Sequence, residues 1–408
     1  MSTTNQDESA AVAGASVKYS MRMIDFARRL IQTPSLPGEE RAIADLTVNE
    51  MKTLGYDDVW TDRVGNVVGV LRGSGNGPTV QFYAHLDHVG VGDPSLWPHP
   101  PFAGVIKDDI LYGRGASDVK GAMATQVYLV PVLRELGWKT EGDVYVVGVV
   151  LEEVGGFGSQ VIAAEMPTTY AVLAEATDNQ LRRGHRGRAL VKVSFTGLSA
   201  HASAPDRARN PHFAASRFLL RIESLPMVKD NVFGGSTVAP TLIESDQESS
   251  NVTPATISVY LDWRNVTSEP IDQIQMRVTE IAESVAAECD GIVAGVEIVG
   301  REVTSYTGVT ATMPATRAFE TPADHPVLKR ARATLEATLG RPVSVGTWTF
   351  ATDGGHLAHH GITTIGFAPG EERFAHTIHD QVSVPKMNEA LTGNVALARA
   401  LTSDGVTP

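Results

Sequence analysis

The chain has 408 residues, 42% of them hydrophobic and 20% charged, which is enough apolar material for a large core and for two or three domains. Its formal net charge of −13 argues against nucleic acid and against an anionic membrane surface as partners, because both need clustered Lys and Arg. The single cysteine, Cys289, excludes an internal disulfide, no apolar run reaches about 18 residues, and no basic segment leads into an apolar one, so the expected location is cytoplasmic.

The small, polar opening MSTTNQDESAAVAGAS reads as a frayed tail. Apolar residues at helical spacing follow in YSMRMIDFARRLIQ and EERAIADLTVNEMKTLG, then strand-like NVVGVL and TVQFYA. VKGAMATQVYLVPVLRELG is expected as a helix, and DVYVVGVVL and YAVLA as strands buried on both faces, the mark of a largely parallel sheet. After about His185 the order becomes strand (ALVKVSF), helix (NPHFAASRFLLRIES), strand (STVAPTLIES), strand (TISVYLDWR), helix (PIDQIQMRVTEIAESVAAE), strand (GIVAGVEIVG). That is a ferredoxin-like β-α-β-β-α-β unit. Past Thr310 the α/β pattern resumes with HPVLKRARATLEATLG, ITTIGF and PKMNEALTGNVALARAL. The expected architecture is therefore an α/β catalytic domain over 1–185 and 316–408, with a mixed, largely parallel sheet and helices on both faces. An α+β domain over 186–315 is inserted into it.

The ionisable residues of interest stand at the ends of the apolar strands, where open α/β sheets place their sites. TVQFYA delivers His85 and Asp87, DVYVVGVVL delivers Glu152 and Glu153, and YAVLA delivers Glu175. Two adjacent carboxylates at the mouth of a buried strand repel and need a cation or a solvated turn. His85 and Asp87, two apart on a strand, leave the same face, so His85 reads as a metal ligand and Asp87 as the acid that orients its ring. Asp118, in GRGASDVKG, reads both as a helix N-cap and as a carboxylate able to bridge two cations about 4 Å apart. Taken singly, EE also reads as the start of a polar turn and HLD as a hydrogen-bonded strand end; the shared position at strand ends favours a metal centre. Nitrogen and carboxylate donors without thiolate suit zinc, with cobalt or manganese as substitutes.

In order along the chain, HLDHVGVGD, LYGRGASDVKGAMA, the EE pair, AEATDN, GHRGR, GLSAHASAP, NVTP and AHTIHD resemble a dinuclear zinc family. Its members include acetylornithine deacetylase, succinyl-diaminopimelate desuccinylase, aminoacylase and the carboxypeptidase G-type peptidases. The resemblance runs from about Met21 to about Ala400, and the inserted unit falls where that family carries its lid and dimerisation domain. It implies a homodimer with two Zn2+ per chain, His85 and Glu175 on one, Glu153 and His376 on the other, and Asp118 bridging. Glu152 is then the general base. AHTIHD also offers His379; the family spacing favours His376, with Asp380 as the following acid. By the same resemblance, His201 crosses the dimer interface to steady the oxyanion, and Asn251 and Arg264, assisted by Arg186, bind a substrate carboxylate.

One departure bears on substrate. Desuccinylases of that family carry an Arg after Ser-Asp-Gly, whereas this chain has Thr352-Asp353-Gly354-Gly355-His356, leaving a protonated His356 as a partial substitute. The expected reaction is metal-dependent hydrolysis of N-acyl amino acids with a neutral acyl group. The alternative is a carboxypeptidase or dipeptidase using the same metals on short peptides, and the third reading is a non-catalytic metal-dependent binding protein.

Overall fold

The computed structural model describes residues 3–403. Its principal strands are β1 (Asp58–Thr61), β2 (Val67–Leu71), β3 (Val80–His85), β4 (Val144–Val149), β5 (Tyr170–Leu173), β6 (Leu181–Arg182), β7 (Arg188–Thr196), β8 (Thr237–Ser245), β9 (Thr256–Arg264), β10 (Val293–Ile298), β11 (Val345–Gly346) and β12 (Thr363–Gly366). The larger sheet has the order β1-β2-β4-β3-β5-β12-β6-β11. Its four middle strands, β4, β3, β5 and β12, are parallel, while β1, β2 and β4 pair antiparallel. Burial on both faces thus did not require parallel neighbours: all of Val67–Leu71 is buried in an antiparallel strand.

Period-two alternation explains the two cores. Val80, Phe82 and Ala84 of β3 enter one, with helices Gly121–Val127, Pro326–Leu339 and Val384–Leu401, whereas Tyr83 enters the other, beneath Phe157–Glu165 and Gly354–His359. The expected frayed tail is instead part of a helix, Thr3–Ile31. Its alanines favour helix, Val12 is buried, and Ser9 and Ser20 donate to Ala337 O and Asn388 Oδ1. Those docking partners come from the far end of the chain. No helix among the described residues is long and apolar enough to cross a membrane.

The smaller sheet, β8-β9-β7-β10, is antiparallel throughout, and helices Pro211–Glu223 and Ile271–Ala287 pack on one face of it. Its edge strand β8 is almost wholly exposed, with Leu242 and Ile243 facing solvent.

Candidate metal centre

Because β4, β3, β5 and β12 run parallel, the segments that leave their carboxyl ends meet in one place. His85 closes β3, Glu152 and Glu153 follow β4, Glu175 follows β5, and His376 lies in the loop beyond β12. Asp118 enters from the turn before Gly121–Val127. His85 Nε2 is 2.9 Å from Asp118 Oδ1 and 3.9 Å from Glu175 Oε1. On the other side, His376 Nε2 is 3.1 Å from both Asp118 Oδ2 and Glu153 Oε2. The two oxygens of Asp118 thus face two different imidazoles. His85, Asp118 and Glu153 bring ligand atoms within 4.8 Å of one another, as do His85, Glu152 and Glu175.

The His85 tautomer follows from its other nitrogen. Nδ1–H donates to the backbone carbonyl of Asp87 at 3.0 Å, which leaves the Nε2 lone pair directed at the cluster. The expectation that the Asp87 carboxylate takes this proton is corrected, since that carboxylate lies 3.7 Å from Nδ1. It accepts instead from the N–H of Glu152 at 3.2 Å and of Glu153 at 3.1 Å. Asp87 fixes the acid pair. Burial pushes its own pKa up to about 8, against the pull of His85.

Three further acids, whose bracing role the sequence did not reveal, support the site. Glu40, buried, accepts from the N–H of Leu151 at 3.1 Å, and Leu151 stands at φ 63°, a left-handed conformation unfavourable for a leucine. Asp353 accepts from Tyr83 Oη at 2.6 Å and from the Ser159 hydroxyl. Asp380, noted only as the acid after His379, is fully buried and accepts from Gly115 N at 2.7 Å, Ser117 N at 2.9 Å and Arg114 Nη1 at 3.1 Å. It holds the turn that presents Asp118. Asp380→Asn is expected to turn one acceptor into a donor facing these N–H groups and to weaken metal binding about 10- to 100-fold. Competition titration with a zinc chelator would measure it; unchanged affinity would remove the bracing role.

His379 stays outside the cluster: its backbone N–H bonds Thr377 Oγ1 and its side chain is exposed. His356 is corrected as an acyl-side substitute, because its ring is buried against Gly155 O at 3.0 Å and burial lowers its pKa.

A cavity of about 690 Å³ lies over the cluster, with Asp118, Glu152, Glu153, Glu175 and His376 at its floor and Arg264 on the facing wall. His201, Asn251 and Arg186 do not line it. Arg186 reaches Gly235 O and Thr237 Oγ1 at 3.4 Å. His201 and Asn251 are neighbours, joined where Ala200–His201 pairs with Val252–Thr253. They sit beyond the far ends of β7 and β9, whose near ends, Arg188 and Arg264, reach the cavity. The eight spacings within each nine-residue strand, at roughly 3.3 Å each, separate those ends by roughly 26 Å. Within one chain, therefore, Asn251 and Arg264 do not converge on one carboxylate, and His201 does not reach its own cluster.

The electrostatics ask for a cation. Burial, then the charges of Asp353, Glu175 and Glu153, holds Glu152 well above the usual carboxylate range, with His85 opposing. Burial and Asp118 do the same to Glu175. Burial alone would raise Asp118, but His376 and His85 pull it below its ordinary value. Hydrogen bonds donated by its ring to Asp118 and Glu153 push the His376 pKa up to about 10. Four carboxylates thus meet two imidazoles, His85 buried and His376 exposed at the rim, the donor set that hard-to-borderline divalent ions take. Zn2+ at 100 times its dissociation constant should stabilise the fold by about 2.7 kcal/mol per site. Thermal unfolding is expected several degrees higher with Zn2+ than in EDTA, and an unchanged midpoint would speak against a metal centre.

The family model described as Peptidase family M20/M25/M40 matches residues 81–401. The uncharacterized protein YgeY of Escherichia coli K12 is 30% identical over 378 residues, covering 89% of this chain and 90% of its own. Among solved structures, the aminopeptidase PepT of Bacillus cereus superposes with a TM-score of 0.75 at 20% identity, covering 94% of this chain and 98% of that one. The YXEP protein of Bacillus subtilis, described as a dinuclear metal binding peptidase of the M20 family, gives 0.71 at 14% identity, over 95% and 99%. The metallo-carboxypeptidase Sso-CP2 of Sulfolobus solfataricus also gives 0.71, at 15% identity over 93% and 99%.

Proposed function

The chain belongs to peptidase family M20/M25/M40 and is a metal-dependent hydrolase; from that premise we propose that it cleaves the amide bond of N-acyl amino acids. The observation that carries this reading is the cavity itself, with carboxylates and imidazoles on its floor and Arg264 opposite. His85 and Glu175 would hold one divalent cation and Glu153 and His376 the other, with Asp118 between them. Zinc, or cobalt or manganese in its place, would supply Lewis-acid polarisation of the scissile carbonyl and acidify the attacking water. Glu152 takes the water proton and returns it to the leaving amine. Its carboxylate suits this because burial raises its basicity and no hydrogen bond from the described residues occupies it. Arg264, steadied by Asp262 at 2.7 Å, turns its remaining N–H groups to the substrate's α-carboxylate.

The working unit in this reading is a homodimer. An exposed edge strand offers unpaired backbone groups for pairing, and β8 is such an edge, with Phe213 and Leu220 of the adjacent helix also exposed. A second copy docked there would bring its His201 to the carbonyl oxygen as it becomes an oxyanion, and its Asn251 toward the carboxylate. A carboxypeptidase or dipeptidase activity is the second reading, favoured by the peptidases among the fold's solved neighbours.

A hydrolysis screen of N-acyl amino acids and dipeptides, with and without divalent metal, separates the two by whether the acyl part must be an amino acid. Amidation of the substrate's α-carboxylate is expected to lower kcat/KM by about 10- to 100-fold in wild type, the worth of a charge-assisted bond. In Arg264→Ala the same change should cost much less, since the two losses share one contact. Equal wild-type rates on acid and amide would remove the role of Arg264.

A further inference from the structure

Besides its acids, the cavity lining carries three arginines, Arg188, Arg264 and Arg301. Leu190 lies opposite Asp262 in the sheet register, so Arg188 and Arg264 occupy the same sheet face, away from the core that contains Ala189, Val191 and Trp263. Both line the cavity, and Arg301 joins them from the hairpin formed by Arg301–Thr304 and Thr310–Met313. Among the described residues Asp262 is the ion-pair partner of the first two: it accepts from Arg188 Nε at 2.9 Å and Arg264 Nε at 2.7 Å. Arg301 has no ion-pair partner among the described residues. Two guanidinium groups paired to one carboxylate, and a third with no ion pair, leave an excess of positive charge in this part of the cavity lining, and a guanidinium fork matches carboxylate oxygens.

Resting on the hydrolase reading above, we propose that the substrate carries two carboxylates, one taken by Arg264 and the second by Arg188 together with Arg301. The class is then an N-acyl derivative or short peptide of an acidic amino acid. Acids and arginines in one lining give such a substrate one orientation, anionic groups at the arginines and amide over the acids. The volume of about 690 Å³ accommodates a molecule of that size. The arginine absent from Thr352–His356 concerns the acyl side, so the expectation of a neutral acyl group stands beside this proposal, in which arginines on the smaller sheet and its neighbouring hairpin take the second carboxylate on the amino-acid side.

Calorimetry on the metal-loaded full chain, with glutarate and butyrate as probes, tests the second contact without requiring turnover. Glutarate is expected to bind about tenfold or more tightly than butyrate, and Arg188→Gln/Arg301→Gln to reduce that advantage below about threefold. Retained zinc content and thermal midpoint would show that the variant is folded, and the single Arg301→Gln change, on an exposed side chain, provides a second variant. Equal affinities in wild type, or an advantage that survives in the variants, would overturn the proposal. In parallel, kcat/KM for N-acetylglutamate should exceed that for N-acetylglutamine by a similar factor. A chain that hydrolyses neither would sink the deacylase reading, while the calorimetry still decides the acidic-substrate claim.

Discussion

Glu152→Gln is expected to leave metal content and fold intact while lowering kcat by about 10² to 10⁴, the usual worth of general acid–base catalysis. The amide is nearly isosteric with the acid and cannot take a proton from water. KM should change little, because Glu152 makes no contact in this account that the ground state needs. The carboxylate also lies in a group with His85 and Glu175 whose ligand atoms are within 4.8 Å of one another, so a loss of metal in this variant would instead make Glu152 a ligand. Near wild-type turnover would refute its role as base. Elemental analysis and steady-state rates on the same preparation separate the three results.

The second large effect belongs to His201. His201→Ala and Glu152→Gln homodimers should each be nearly inactive, since each lacks one component of both sites. A mixed dimer behaves differently: its His201→Ala chain keeps Glu152 and receives His201 from the other chain, so one of its two sites is whole. Random reassembly of equal amounts makes roughly half the dimers mixed, giving about a quarter of wild-type activity. The separation of roughly 26 Å along β7 is what motivates this arrangement. Mixed dimers verified by differential tags that remain inactive would place His201 within its own chain or outside the reaction.

Much of this arrangement is legible in the sequence, for a physical reason. Apolar runs such as TVQFYA and YAVLA stop at ionisable residues, so strand ends and candidate ligands are read together, and β3 and β5 appear close to where the pattern puts them. The bracing acids are less visible. Glu40, Asp353 and Asp380 act through partners 111, 270 and 265 positions away, and nothing local distinguishes a buried acceptor of backbone N–H bonds from a solvated acid. The opening helix escaped for the same reason, because small residues read as a tail until the helices that cover them are in place. Asn251 and Arg264 are the opposite case. Arg264 ends a nine-residue strand and Asn251 precedes its start, and the strand's length alone argues against their meeting on one ligand within a chain.

The dinuclear hydrolase claim is tested most directly by counting metal in active protein. Wild type reconstituted with zinc and freed of excess ion should hold two equivalents per chain, with hydrolysis of its best acyl amino acid rising as the ion is added back. Asp118→Ala should lose both, because its two oxygens face His85 and His376, whereas Glu175→Ala and His376→Ala should each lose mainly one. Full activity with at most one equivalent per chain, or two equivalents retained in Asp118→Ala, would contradict it.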